Sequence, residues 1–199
     1  MYQSYLISLG DLRLTAALAG AVVVWLVAAR AYRAACWWCV AYGGALGAVA
    51  ASKILYLGWG LQIAAVQFKA ASGHAAGTAA VLPIVLYLLA MPIVRSKANF
   101  ALAAGWMISA AVAFALVAHD EHSSSEALAG WCLGMLASAV SWSRMRRKLI
   151  LPSRGGVGAA LAMMTVIASG MQVVPVGPLM SKTALALSGE HRTHAWNDC

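Results

Sequence analysis

Six runs of mostly apolar residues divide this chain, and each is close to the length that crosses a lipid bilayer. They lie near 12–30, 36–58, 73–92, 99–118, 124–143 and 155–176. A helix needs about 20 apolar residues to span the hydrocarbon core. The runs are continuously apolar rather than alternating, which argues against a transmembrane barrel. The sequence therefore predicts an all-α polytopic membrane protein, a bundle of six transmembrane helices.

The composition supports a membrane protein rather than a soluble one. Of the 199 residues, 62% are hydrophobic and only 10% are charged. A soluble domain of this size could not remove so much apolar surface from water. No linker or repeat divides the chain, so residues 1–199 are predicted to form one membrane domain, with 177–199 as an outward tail.

Positive charge is concentrated in three of the predicted connections. The links after the first, third and fifth runs hold nine of the fourteen cations and no acid: Arg30, Arg33, Arg95, Lys97, Arg144, Arg146, Arg147, Lys148 and Arg154. Cytoplasmic loops carry such an excess of Lys and Arg. We therefore expect an inner (plasma) membrane protein whose two termini face outward, to the periplasm. The net charge of +8 then reflects contact with the bilayer, and no nucleic-acid partner is expected.

The outward side collects most of the reactive side chains. Residues 119–130 read HDEHSSSEALAG and hold two of the five histidines and three of the six acids. His122 and Glu126 are four residues apart, which on a helix places them on one face within reach. A carboxylate bonded to one ring nitrogen leaves the other free as a nucleophile or base.

Two more outward clusters are predicted to lie near this pair. Lys53 is close to the outer end of the second run, and residues 68–77, FKAASGHAAG, carry Lys69, Ser72 and His74. A serine at a helix start can cap it, and the free backbone N–H groups there favour an anion. Ionisable groups near the apolar region usually face a bundle interior or a wet cavity. Together the three clusters predict a phosphoryl-transfer site.

This pattern resembles the type 2 phosphatidic acid phosphatase superfamily of membrane lipid phosphatases. That family carries Lys-x6-Arg-Pro, then PSGH, then Ser-Arg-x5-His-x3-Asp, each at the outer end of a helix in a six-span core. Here the corresponding residues are Lys53, Ser72-Gly73-His74, and His122 with Glu126. The resemblance covers roughly residues 12–176 and rests on the order and spacing of the motifs.

The resemblance implies a role for each residue. His122 would attack phosphorus to form a phosphohistidine, Glu126 would orient it, and His74 would protonate the leaving oxygen. Phosphate oxygens would be held by Lys53, Ser72 and Gly73. The histidine carries the covalent step, so no metal or other cofactor is expected. The implied substrate is a membrane lipid phosphate or diphosphate, such as phosphatidic acid, phosphatidylglycerol phosphate or an undecaprenyl carrier.

Both arginines of the family motifs are missing. Their positions hold Gly60-Leu61 and Ala115-Leu116. Loss of one oxyanion donor typically costs about 3–4 kcal/mol of transition-state stabilisation. Cations that could compensate are Lys69, Lys182, Arg192 and a protonated His119.

Two alternatives remain open at this stage. The first is a catalytically degenerate family member that binds or moves a lipid, or serves as a subunit of a membrane complex. The second is a divalent metal site with nitrogen and oxygen donors, whose ligands would be His74, His119, Asp120, His122 and Glu126. The lipid headgroup and the oligomeric state are not predicted.

Overall fold

A computed structural model describes residues 10–146, 154–170 and 176–194, except the side chains of 154–157, 168 and 170. These residues form seven α-helices: α1 (Leu12–Ala28), α2 (Tyr32–Trp59), α3 (Gly73–Ala90), α4 (Ala98–Ala118), α5 (Ser124–Met145), α6 (Arg154–Gly170) and α7 (Val176–Ser188). Short 3₁₀ turns at Ala64–Val66 and Arg95–Lys97 lie in two connections. The protein is therefore all-α over its described residues, as the sequence predicts.

The polar residues between the apolar runs set where several helices begin and end. The Asp11 side chain accepts a hydrogen bond from the N–H of Arg13 and caps α1. Ser72 and Ser123 cap α3 and α5 in the same way. Gly60 ends α2 with φ +65°, a left-handed conformation that glycine adopts at little cost.

Six of the helices overlap the six predicted apolar runs, one helix to each run. α2 begins at Tyr32, four residues before its predicted start. Three segments of the described chain are long and apolar enough to cross a membrane: Tyr32–Trp59, Gly73–Ala90 and Arg95–Ala118. Leu12–Ala28 and Gly158–Ile167 are apolar but shorter. The structure thus supports a membrane protein, while six spans remain a prediction.

The seventh helix, α7, begins at Val176, and its remaining residues belong to 177–199, which the sequence predicted only as a tail. It packs against α2, and Ala184 is fully buried beside Tyr56 and Leu57. The tail therefore contributes a helix to the bundle.

α3 is the central helix and packs against α1, α2, α4 and α5. Two glycines let α5 approach it closely: a Cβ added at Gly130 would collide with the Ser72 carbonyl oxygen, and one at Gly134 with the Ala76 carbonyl oxygen. This close contact fixes the start of α5 against the start of α3, where the predicted site residues lie.

Tryptophan–serine hydrogen bonds connect α4 with α5. Nε1 of Trp106 donates to Oγ of Ser138 over 3.0 Å, and Nε1 of Trp131 donates to Oγ of Ser109 over 3.1 Å. Both hydroxyls also donate to carbonyls of their own helices. The two pairs thus meet the hydrogen-bonding requirements of both indole N–H groups within an otherwise apolar interface.

The first five helices, α1 to α5, alternate in direction, so the connections between them lie at two opposite ends of the bundle. The C-termini of α2 and α4 and the N-termini of α3 and α5 share the end that we call the site end. The opposite, basic end holds Arg30, Arg95, Lys97, Arg144 and Arg146. Arg147 and Lys148, also assigned there from sequence, lie outside the described residues.

Candidate functional site

Glu126 and His122 form a hydrogen-bonded pair at the start of α5. The Oε2 atom of Glu126 lies 3.0 Å from Nδ1 of His122. His122 precedes the capping residue Ser123, so the pair does not meet as neighbours on a helix. They meet instead through a capping box at the start of α5. The Glu126 carboxylate accepts a hydrogen bond from the N–H of Ser123, and the Ser123 hydroxyl accepts one from the N–H of Glu126. With the proton on Nδ1, Nε2 of His122 keeps its lone pair.

The second carboxylate oxygen of Glu126 binds the connection between α2 and α3. Oε1 accepts from the backbone N–H groups of Lys69, at 3.0 Å, and Ala70, at 3.4 Å. The Glu126 carbonyl accepts from the N–H of Ser72 at 3.0 Å. The side chain of Glu126 is only 7% exposed, so these donors replace water around its charge.

Further hydrogen bonds hold the rest of this connection at the site end. Ile63 and Phe68 form an antiparallel bridge around a 3₁₀ turn. Oγ of Ser125 donates to the Val66 carbonyl over 2.8 Å. The N–H of Ala71 donates to Oγ of Ser52 on α2 over 3.0 Å. The connection is therefore attached to both α2 and α5.

Asp120 reverses the chain between α4 and α5. Its φ is 56°, a left-handed conformation that Asp tolerates better than most residues. The N–H of Asp120 donates to the Val117 carbonyl, and that of Glu121 to the Leu116 carbonyl, which is a Schellman ending of α4. Asp120 thus has a structural role, placing His122 beside α5, that sequence analysis did not identify.

A cavity of about 840 Å³ opens at the site end. Its described lining is Lys53, Gln62, Ala64, Gln67, Lys69, Asp120, Glu121, His122, Ser123 and Glu126. Four of the seven predicted site residues are among them: Lys53, Lys69, His122 and Glu126. Sequence analysis missed the two glutamines, although polar residues in such an apolar chain were a usable signal.

The other three predicted residues lie at the start of α3, outside the described cavity lining. Ser72 is fully buried, and its hydroxyl accepts from the N–H of Ala75 as the helix cap. His74 is partly buried, and its electrostatic environment includes His122 and Lys53. A Cβ added at Gly73 would meet nothing closer than a Val49 methyl at 3.7 Å. The structure therefore places His74 near His122 and Glu126. The Ser72 hydroxyl, in contrast, is used to cap α3.

Arginine is absent from the described lining of this cavity, which contains two lysines and three acids. Lys182, Arg192 and His119, the other candidates to replace the family arginines, are not among the described lining residues either. The tail instead covers the end of α2: the N–H of His194 donates to the Leu57 carbonyl, and its ring would lie 3.0 Å from a Cβ at Gly60.

The metal alternative gains no support from the placement of the donors. Among the described residues, no three His, Cys, Asp or Glu side chains are close enough to hold a metal ion. Glu126 instead directs one oxygen at His122 and Ser123 and the other at backbone N–H groups of residues 69–70.

Comparison with known proteins gives one relative that spans most of the chain. The "Uncharacterized 22.5 kDa protein in cps region" of Klebsiella pneumoniae is 28% identical over 183 residues. The alignment covers 89% of this chain and 88% of that protein. No protein-family model matches the chain. No solved structure matches it significantly.

Proposed function

We propose that this protein is a membrane phosphatase or phosphotransferase that acts on a lipid phosphate or diphosphate through a phosphohistidine. The observation that carries the proposal is the 3.0 Å contact between Nδ1 of His122 and Glu126, at a cavity that Lys53 and Lys69 also line. An oriented imidazole beside two cations suits attack on a phosphate group. The motif resemblance assigns the same residues to this chemistry.

In the proposed reaction, Nε2 of His122 attacks phosphorus and the bond from phosphorus to the leaving oxygen breaks. His74 donates the proton that this oxygen requires. Water, or an acceptor hydroxyl, then attacks the phosphohistidine, releases the imidazole and loses its proton to a base. Lys53 and Lys69 offset charge on the phosphate oxygens, and Glu126 stabilises the protonated imidazole. No step requires a metal or another cofactor.

The proposed setting is an inner (plasma) membrane crossed by six helices, with the site end outward. Three candidate spans and two shorter apolar helices support membrane insertion. The cations of the basic end support the orientation by the positive-inside rule. A lipid substrate fits a site whose helices would be surrounded by bilayer.

Phosphate release from a panel of lipid phosphates and diphosphates by detergent-purified protein tests this function. Wild type is compared with His122→Ala and with His119→Ala, a matched histidine outside the described cavity lining. We expect release by wild type and His119→Ala, competition by orthovanadate, and a loss of at least about 10³-fold in His122→Ala. A folded His122→Ala that retains wild-type turnover would exclude the mechanism.

A lipid-binding protein without turnover is the second candidate. Asp120 and Glu121 line the same cavity and would repel a phosphate dianion, and the described lining has no arginine. If folded wild type releases no phosphate from any lipid, mass spectrometry of lipids that co-purify with it decides between binding and no binding. Measured catalysis would remove this candidate.

A further inference from the structure

A second polar cavity lies at the basic end, remote from the candidate site. Its volume is about 440 Å³, and its described lining is Tyr87, Met91, Arg95, Ala98, Asn99, Trp142 and Arg146. It forms where α3 ends, α4 begins and α5 ends. The 18 residues of α3 separate it from the site end by about 27 Å, at 1.5 Å per residue.

The chemistry of this cavity selects for an anion. Its described lining includes two arginines and no acid. Tyr87 is buried, at 2% exposure, and both Arg95 and Arg146 act on it electrostatically. The positive charges of the two arginines repel each other across the cavity, and an anion bound between them would offset this repulsion. Guanidinium groups match phosphate oxygens with paired hydrogen bonds.

Trp142 positions one of the two arginines at this cavity. The Arg146 guanidinium lies 5.1 Å from the Trp142 ring centroid. A guanidinium that packs over an aromatic ring is attracted to its face and still presents N–H donors along its edge to an oxygen acceptor. The Trp142 ring therefore favours an Arg146 side chain that stays at the cavity.

Arg144 shows that the arrangement is more than a general excess of basic residues. It lies two residues before Arg146 on the same helix and is also exposed. Its guanidinium stacks over the Trp37 ring at 4.2 Å, and it is not among the described lining residues. A second exposed arginine near the end of α5 therefore contacts a different part of the protein.

We propose that Arg95 and Arg146, with Tyr87 and Asn99, form a binding site for a phosphate group, and that the Trp142 ring positions Arg146 there. The group belongs either to the headgroup of an anionic phospholipid or to a soluble phosphate. This site is separate from the proposed catalytic site and does not depend on it.

The test measures thermal unfolding of the full chain, purified in neutral detergent, during titration with inorganic phosphate and, separately, with phosphatidylglycerol. Phosphatidylcholine is the control lipid without net charge. The proteins are wild type, Arg95→Gln, Arg146→Gln and the matched control Arg144→Gln. We expect at least one anionic ligand to raise the Tm of wild type and Arg144→Gln. Each cavity variant should bind it about ten-fold more weakly.

The pattern of shifts identifies the source of the phosphate group. A shift with inorganic phosphate indicates a soluble ligand, and a shift with phosphatidylglycerol alone indicates a lipid headgroup. Absence of any shift overturns the proposal. So does an equal shift in all four proteins, which would place the anion elsewhere, including at the site end. Trp142→Leu removes the aromatic ring beside Arg146 and keeps both arginines, and it should also weaken binding.

Discussion

The backbone N–H of Lys69 donates a 3.0 Å hydrogen bond to Glu126, a residue 57 positions later in the chain. The same carboxylate caps α5 through Ser123 and orients His122. One side chain therefore joins the α2–α3 connection, a helix start and the proposed nucleophile. Structural and chemical contributions of Glu126 should be separable by substitution.

Glu126→Ala should lower the free energy of unfolding by about 2–4 kcal/mol, because it removes a capping box and the carboxylate oxygen that accepts from the N–H groups of Lys69 and Ala70. Ser124→Ala, an exposed change in the same turn, should stay within about 0.5 kcal/mol of wild type. Unfolding in detergent, followed by circular dichroism, measures both. Equal stability of the two variants would contradict the assigned hydrogen bonds.

Glu126→Gln should separate the two roles. It keeps an oxygen that can accept hydrogen bonds, so it should destabilise the protein less than Glu126→Ala. A neutral amide cannot stabilise an imidazolium at His122, so phosphate release should fall by about 10²-fold or more. Stability and release are measured on the same preparation. Full release by Glu126→Gln would remove the orienting carboxylate from the mechanism.

Lys53→Met should reduce kcat/KM for phosphate release by about 10²–10³-fold, because Lys53 lines the cavity in which no arginine is described. Lys182→Met is the matched control: Lys182 is exposed on α7 and outside the described lining. It should leave kcat/KM unchanged. A larger loss in Lys182→Met than in Lys53→Met would instead assign the phosphate contact to the tail.

Gly130→Ala should destabilise the protein by about 1–3 kcal/mol, because the added methyl would meet the Ser72 carbonyl and force α5 away from α3. Gly43→Ala, at a helical glycine of α2 with nothing within 4 Å of the added carbon, should be neutral or stabilising. Thermal unfolding compares the two. A neutral Gly130→Ala would show that α5 can shift freely.

Asp120→Asn should preserve the reversal after α4, since Asn also tolerates the left-handed conformation, and it should remove a negative charge from the cavity. We expect unchanged stability and about two-fold tighter binding of a lipid phosphate, because removing one exposed like charge changes the binding free energy by only about 0.5 kcal/mol. Asp120→Val should lose about 1–2 kcal/mol of stability because its side chain strains the turn. Weaker binding by Asp120→Asn would indicate that Asp120 contacts the ligand directly.

Helix positions were the most predictable part of this fold, because apolar runs and their polar boundaries are local features of the sequence. Ser72 illustrates this: its place before an apolar run predicted a helix cap, and its hydroxyl caps α3. α7 was not predicted, because its 13 residues are too few to form a recognisable span. Its helix packs against α2 through Ala184, a contact that sequence periodicity alone does not reveal.

The candidate site was predictable only in part. Spacing predicted that His122 and Glu126 meet, and they do, but through a capping box rather than along a helix face. The contacts between Glu126 and the N–H groups of residues 69–70 join distant parts of the chain and have no local signature. The conformation of Asp120 depends on how α4 ends, which sequence analysis did not resolve.

The tryptophan–serine pairs between α4 and α5 have a consequence for assembly. Each helix contributes one indole and one hydroxyl, so the two bonds run in opposite directions across the interface. If α5 slid along α4 by one turn, about 5.4 Å, both indoles would lose their acceptors together. In hydrocarbon no water would replace them. The two pairs therefore select a single register, which sets the height of His122 relative to the end of α4.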